Sequence, residues 1–549
     1  MSRRLGVFAI LILVLFAAVA TQSANIQYFR APALDASVQN PRNLQTGNEY
    51  PRGEIVAADG TVLAKSVPAT SGYYPFTRVY PLGSLTSGLV GFASPSYGTW
   101  ALEAEYNQYL IAHAQPPQSF VQVLSPTSAA DTVTLTLQPS LERVAARALA
   151  GHQGAAVVLD PNTGAVLAMS SYPSYNLNSF VNGLSQSTFN SLMKVGAFNN
   201  YAIQGLYTPG STFKLVTATA QMQTGIFSPN TLVNDTGIYV VPGCLQGGHG
   251  CVFHDAETFG NGLVNLPLAL TVSSDYYFYN LGYLFWLHQR KYGQTAIQNV
   301  AHQYGLDQYT NIDLPNEVPG RVDSPAVRKE LHALAPKAFP NVAWYTGDNI
   351  EMAFGQGATA LTPIALADAY ATFANGGTRY APEVAAGILS PSGKVIRRYA
   401  PRVLGHVHLT PAIRAPILQG LYGVINNPRG TGYYPFHQNA TFSLSAFPLA
   451  GKTGTASNAP GMEPNSLFVG FGPVNRPKYV VVCVIGEGGY GANAAAPVVA
   501  KAFNYLVAHP IRPVSMTPKL TLPASTTTTT TIHAGTTTTT LKPTTGAQG

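Results

Sequence analysis

The hydrophobic pattern of this chain changes period several times. Residues 5–20 are unbroken apolar sequence that 21–24 can extend, which predicts a helix long enough to span a membrane. Residues 26–125 are mixed, with Asp59-Gly60 as a hairpin turn between two short apolar runs. Residues 133–137 alternate Thr with Val and Leu, as a strand does. Residues 140–150 place Leu141, Val144, Ala145 and Ala148 on one side of a short helix. Two apolar runs, 155–159 and 165–169, flank Asp160-Pro161-Asn162-Thr163-Gly164 and predict a hairpin. Residues 213–224 and 363–374 read as helices, the second stopped by Asn375-Gly376-Gly377. Apolar strands follow at 446–455, 466–472 and 478–485, then a closing helix at 496–509. From residue 513 the composition collapses into Thr, Pro and Ala and cannot form a core, so disorder is expected there.

Composition sharpens this outline. A chain of 549 residues implies more than one domain, and 46% hydrophobic content is ample for a large core. Charged residues make up only 10%, so Ser, Thr, Asn, Gln and Tyr must wet the surface, which suits an extracytoplasmic protein. A net charge of +7 without any Lys/Arg run leaves no nucleic-acid footprint. Three cysteines are present. Cys244 and Cys251 bracket a Gly-rich loop and are a disulfide candidate, with free thiols as the alternative. A zinc set with His249 and His254 lacks a proper fourth ligand, so no metal is assigned. Cys483 sits in an apolar run and reads as core.

The candidate chemistry starts at Tyr207-Thr208-Pro209-Gly210-Ser211-Thr212-Phe213-Lys214. Pro209 and Gly210 punctuate a loop, so Ser211 falls at a helix start, one helical turn from Lys214. A serine hydroxyl needs a base to become a nucleophile, and a lysine can serve if burial or a second cation removes its proton. Alone, Ser-x-x-Lys is usually an exposed helix turn. Two further stretches raise its weight: Val272-Ser273-Ser274-Asp275, and Ala450-Gly451-Lys452-Thr453-Gly454-Thr455-Ala456 inside an apolar strand. Ser-x-x-Lys, then Ser-Asp-Asn, then Lys-Thr-Gly is the ordered trio of penicillin-binding proteins and class A β-lactamases.

With that trio in order, the chain resembles a class B (monofunctional) penicillin-binding protein, a serine D,D-transpeptidase of peptidoglycan. The likeness extends to Pro51-Arg52-Gly53-Glu54-Ile55, Asp59-Gly60-Thr61-Val62-Leu63-Ala64, Arg78-Val79-Tyr80-Pro81, the 155–169 hairpin and Gly355-Gln356-Gly357. The resemblance implies an α+β fold. Its transpeptidase domain has an antiparallel sheet flanked by helices, plus an all-helical part, set on a mostly β N-terminal pedestal. Expected boundaries are a cytoplasmic stub at 1–4, an anchor at 5–24, a pedestal at 25–127, a transpeptidase domain at 128–512 and a tail at 513–549. The resemblance further implies stem peptides ending in D-Ala-D-Ala as substrates, covalent binding of β-lactams and no cofactor.

The resemblance also implies roles for residues. Ser211 is the nucleophile and Lys214 its base. Lys452 keeps charge off Lys214, and Ser273 relays a proton to the leaving amine. The N–H groups of Ser211 and Thr455 form the oxyanion hole. Lys452, Thr453 and Thr455 hold the substrate carboxylate, and Gly454 leaves room for the acyl group beside the strand. One residue departs from the pattern, because Asp275 stands where the family usually has Asn. An ionised Asp offers acceptors only and would pair with Lys214, opposing loss of its proton; a protonated Asp would instead mimic the amide's oxygen and donor. The pedestal charges are expected to make structural ion pairs.

Arg3 and Arg4 precede the apolar run and no basic residue closely follows it, so the N-terminus is expected inside and the bulk outside. Ala18-Val19-Ala20 keeps a cleaved signal peptide open as the competing reading, while the resemblance favours an uncleaved anchor. Because the chain carries no polymerase module, a membrane-embedded glycan polymerase is the expected partner. Rival functions are a D,D-carboxypeptidase, a β-lactamase, and a catalytically weak scaffold for cell-wall or division partners. The long N-terminal module argues against the β-lactamase.

Overall fold

The computed structural model describes residues 2–30, 49–71, 73–114, 128–244, 251–256, 259–458, 461–512, 514 and 516. The Thr-rich runs, and His249 with the rest of the loop between Cys244 and Cys251, lie outside them.

Helix α1, Ser2–Ala24, forms from the apolar N-terminal run. With the turn that follows, Gly6–Phe29 has a mean hydropathy of 2.4 and none of it is buried, so it is long and apolar enough to cross a membrane. Strands β1 (Ile55–Val56), β2 (Val62–Pro68) and β3 (Phe76–Val79) follow, with Gly60 in the left-handed region at the β1–β2 turn. Next come β4 (Thr132–Leu135), α2 (Pro139–Leu149), β5 (Gly154–Leu159) and β6 (Val166–Tyr172). The β5–β6 hairpin turns at the Pro/Gly segment expected from sequence.

A 3-10 turn, Gly210–Phe213, runs into α3, Lys214–Thr224. The middle of the chain holds β7 (Val233–Asp235), β8 (Ile238–Val240), β9 (Val252–His254) and β10 (Gly262–Val264), then α4 (Leu266–Thr271) and α5 (Asp275–Leu287). Helices α6 (Thr346–Ala353) and α7 (Pro363–Ala374) precede β11 (Ala385–Leu389) and β12 (Val395–Arg398). After α8 (Pro411–Asn426) come β13 (Ala450–Ala456), β14 (Asn465–Gly472), β15 (Tyr479–Ile485) and the closing α9 (Ala495–Ala508).

The site is positioned by a five-stranded sheet in the order β6-β5-β15-β14-β13, antiparallel throughout. Every residue of β5, β14 and β15 is buried, because helices cover both faces. On one face Leu141, Ala145 and Leu149 of α2 pack with Val499, Phe503 and Leu506 of α9. On the other lie α3 and α7, and all of α7 is buried, as its all-round apolar sequence requires. Strand β13 forms the free edge, with Lys452 opposite Val469 and Thr455 opposite Ser466.

A second, six-stranded sheet runs β12-β11-β4-β1-β2-β3. Its β1–β4 pair is parallel, Ile55 opposite Val133, and β11 closes against β4, Ile388 opposite Val133. The pedestal strands therefore share a sheet with strands from beyond residue 128. Near them the charges singled out in the sequence form a buried triad. Arg52 Nε and Arg78 Nε reach the two oxygens of Glu103 at 2.6 and 2.7 Å, and the Tyr80 hydroxyl donates to the same carboxylate at 3.1 Å. Breaking such a triad by removing one partner costs about 3–5 kcal/mol.

Candidate active site

The turn that carries Ser211 is pressed against the edge strand. Gly210 has φ +50°, and a Cβ there would stand 2.5 Å from the Thr455 carbonyl oxygen, so only glycine permits the approach. Gly355, at φ +87°, allows the same closeness on the other side, where a Cβ would meet the Gly210 carbonyl oxygen. The Thr212 hydroxyl donates to the Pro209 carbonyl at 2.7 Å and braces the turn. Ser211 is half-buried, while Lys214, at the head of α3, is fully buried.

Lys214 spends its ammonium donors on the second motif. Its Nζ lies 2.7 Å from the Ser273 carbonyl, 3.4 Å from Ser273 Oγ and 2.5 Å from Asp275 Oδ1. The Phe278 ring, one turn along α5, covers the same nitrogen at 5.1 Å from its centroid.

Ser273 sits in the joint between α4 and α5 at φ +60°, a left-handed conformation that costs a non-glycine residue about 1–3 kcal/mol. Ser274 caps α5 by accepting from the Tyr277 N–H at 3.2 Å, which fixes the joint. The strained residue presents its carbonyl to one lysine and its hydroxyl to the other, for Lys452 Nζ donates to Ser273 Oγ at 2.8 Å. Lys452 is fully buried and also donates to the Thr453 carbonyl at 3.2 Å. Burial, and then the neighbouring Lys214 charge, push the Lys452 ammonium well below its ordinary range, while Asp275 opposes the shift. One hydroxyl thus touches two buried amines, an arrangement able to pass a proton between them.

The remaining predicted residues fall on the same edge. The Thr453 hydroxyl is bonded to that of Thr431 at 2.7 Å, and the Thr455 hydroxyl accepts from the Gly491 N–H at 3.2 Å. Gly454 is also tightly packed. A Cβ there would meet Thr212 Cγ2 at 2.8 Å, the Pro209 carbonyl oxygen at 2.9 Å and Leu467 Cβ at 3.0 Å. Its missing side chain is needed by the Ser211 turn and the sheet core, a packing demand beside the one expected from sequence.

The Cys244–Cys251 pair is a disulfide with its Cα atoms 5.6 Å apart, and Cys483 is a free, buried core cysteine. Among the described residues no cluster of His, Cys, Asp and Glu could hold a metal.

Sequence reasoning did not reach Thr431, Phe278, Gly491 or Asp255. Phe278 follows Lys214's partner Asp275 at i+3 in an aromatic helix, a spacing that was legible. The others come from distant loops with no pattern to mark them.

A serine in a turn at a helix start, two buried lysines and a serine that touches both are the elements a serine acyl-transfer site needs. Residues 154–504 match the model of the penicillin-binding protein transpeptidase domain, and residues 52–131 that of the penicillin-binding protein A dimerisation domain. The chain belongs to the penicillin-binding protein transpeptidase family. It is 30% identical over 401 residues to the peptidoglycan D,D-transpeptidase MrdA of Salmonella typhimurium, covering 69% of this chain and 60% of that one. The chain thus spans 60% of the length of that curated relative. To the peptidoglycan D,D-transpeptidase PbpA of Mycobacterium tuberculosis it is 27% identical over 525 residues, covering 90% of this chain and 96% of that one. The crystal structure of Pseudomonas aeruginosa PBP2 in complex with WCK 5153 matches with a TM-score of 0.68 at 28% identity, covering 83% of this chain and 96% of that one.

Proposed function

We propose that this chain is a membrane-anchored peptidoglycan D,D-transpeptidase that works through an acyl-enzyme on Ser211 and binds β-lactams covalently at the same atom. The observation that carries the reading is Ser273 Oγ lying 2.8 Å from one buried lysine and 3.4 Å from the other, beside the Ser211 turn.

Ser211 Oγ attacks the carbonyl of the penultimate D-Ala while a neutral Lys214 takes the hydroxyl proton. The oxyanion is held by the N–H groups of Ser211 and Thr455, each such donor being worth about 3 kcal/mol in the transition state. The C–N bond then breaks. Ser273 gives its proton to the leaving D-Ala amine and is refilled from the adjoining lysine. An amine of a second stem peptide attacks the ester, returns its proton through the same path and frees Ser211. Lys452, Thr453 and Thr455 hold the terminal carboxylate of the donor peptide.

In this reading α1 spans the membrane with residues 1–4 inside and the folded part outside. A membrane-embedded glycan polymerase supplies the strands to be cross-linked. The relatives named as peptidoglycan D,D-transpeptidases and the family model support the transpeptidase reading, and the long apolar α1 supports the anchor.

The test is covalent labelling of the protein with a fluorescent penicillin, wild type beside Ser211→Ala. Label on the wild type and none on the variant supports Ser211 as nucleophile. Equal label on both would remove Ser211 from that role, and no label on either would move the weight to a non-catalytic scaffold.

A further inference from the structure

An acid that the proposed mechanism does not use stands behind the second motif. Asp255 follows directly on β9, and its backbone N–H donates to the Gly237 carbonyl at 2.9 Å, so it closes the β8–β9 hairpin. The Cys244–Cys251 disulfide ties off the other end of that hairpin, where the Val241 N–H donates to the Cys251 carbonyl at 2.9 Å. The hairpin is packed on α5. Tyr239 and Phe253 meet Tyr276 and Tyr279 with ring centroids 5.1–6.0 Å apart, and the Tyr279 hydroxyl donates to the His254 carbonyl at 2.8 Å. The Asp255 side chain is thereby delivered to the first turn of α5, on the side of the Tyr276 N–H.

Asp255 is 8% exposed, and its Oδ1 has no hydrogen-bond partner among the described residues. The charges that reach it are Asp275 on α5, Asp235 at the end of β7, and Lys214 on α3. Asp235 is itself occupied, accepting from the Gly237 N–H at 2.9 Å and from Asn261 at 2.8 Å. His254, next in the chain, faces solvent, and Glu351 of α6 reaches only as far as Tyr279. Burial first, then Asp275 and Asp235, push the Asp255 carboxyl up to about 8, against the pull of Lys214 and the Tyr276 N–H. It therefore carries its proton at neutral pH.

We propose, building on the acyl-transfer reading above, that Asp255 is a positioning residue for acylation. Neutral, it lies against the first turn of α5 without adding charge to the Lys214–Asp275 pair. Ionised, it places a further negative charge beside that pair, holds the proton on Lys214, and opposes both the oxyanion and a substrate carboxylate. The disulfide-closed hairpin is the arm that keeps it there.

The acylation rate with fluorescent penicillin is measured for wild type and Asp255→Asn at pH 6.5 and pH 9. Asparagine imitates the neutral acid, so the two rates should agree within about twofold at pH 6.5. At pH 9 the variant should exceed wild type by about fivefold or more, since an added charge even about 10 Å away is worth more than tenfold at an effective dielectric near 20 and about a tenth of wild type stays neutral one unit above its midpoint. The same ratio at both pH values overturns the proposal.

Should Asp255→Asn fail to fold, selective carboxyl-13C labelling of aspartate in wild type gives the second readout. One aspartate should titrate near pH 8, and its midpoint should fall in Asp275→Asn. No aspartate titrating in that range overturns the proposal too. The NMR titration does not depend on penicillin labelling, so failure of the acyl-transfer reading shows separately, as a wild type that never labels.

Discussion

Asp275→Asn is the substitution that puts the proposed base to the hardest test. The Asp275 carboxylate holds the Lys214 ammonium at 2.5 Å, with the lysine fully buried and only 14% of the aspartate side chain exposed. A charge-assisted hydrogen bond of this kind contributes about 1.5–3 kcal/mol beyond water. If Lys214 must lose a proton before Ser211 attacks, that energy opposes the reaction in wild type. Asparagine keeps an acceptor oxygen at the same place but removes the negative charge, so deprotonation becomes easier. The acid limb of the acylation profile should then move to lower pH by about one to two units, at 1.36 kcal/mol per unit. At a pH on that limb the variant should acylate roughly tenfold or more faster. The assay is the second-order rate of fluorescent-penicillin labelling from pH 5 to 9, with thermal melting to show that both proteins are folded. An acid limb unmoved within about 0.3 units, in a folded variant, would refute the assignment of Lys214 as the proton acceptor controlled by Asp275.

Gly454→Ala tests the packing account of the edge strand. Three contacts of 2.8–3.0 Å must be relieved, one of them to backbone oxygen, which places the change among overpacking substitutions of about 1–3 kcal/mol. A lower melting temperature and a slower acylation rate should appear together, because Thr212 neighbours Ser211; wild-type values for both would show that the turn shifts freely. Glu142→Gln addresses a buried acid under β6. Glu142 is fully buried, accepts from the Met169 N–H at 2.7 Å and leaves Oε1 without a partner. Burial raises its carboxyl from 4.5 to about 7. An acid held above its unfolded value binds more protons folded than unfolded between those values. Stability is therefore lost as pH rises from about 4.5 to 7, by up to roughly 3 kcal/mol. The variant should gain melting temperature over wild type at pH 8 and little at pH 4.5; an equal difference at both would sink the account.

The parts of the molecule that could be read in advance are those whose signal is local. The β5–β6 hairpin, α7 and its glycine stop, and the run β13, β14, β15, α9 stand within a few residues of where periodicity put them. The three motifs were legible because a reacting turn, a helix start and an edge strand each need particular residue types at fixed spacing. Their assembly was not legible in the same way. That Ser273 must turn left-handed to face two lysines depends on α4 and α5 meeting there, and no neighbour in sequence announces it. The packing demand at Gly454, whose Cβ direction points into Thr212 and Leu467, was not legible either. Thr431 and Asp255 arrive on loops with no periodic signal, the first 22 residues from Thr453, and β11 finds β4 across a separation that no local pattern spans.

The mixed six-stranded sheet has a mechanical meaning. Strand β1 lies between β2 and β4, and β4 in turn carries β11, so the N-terminal strands are held by a ladder of backbone hydrogen bonds to one segment before the site in sequence and, through it, to one between the second and third motifs. A tug or twist on the pedestal, whether from the membrane or from a bound protein, has no flexible hinge at that ladder in which to dissipate. It is handed on through β4 to α2 and the β5–β6 hairpin, and so to the sheet whose far edge holds Lys452. The N-terminal strands are thus built into the fold that carries the site by backbone bonding.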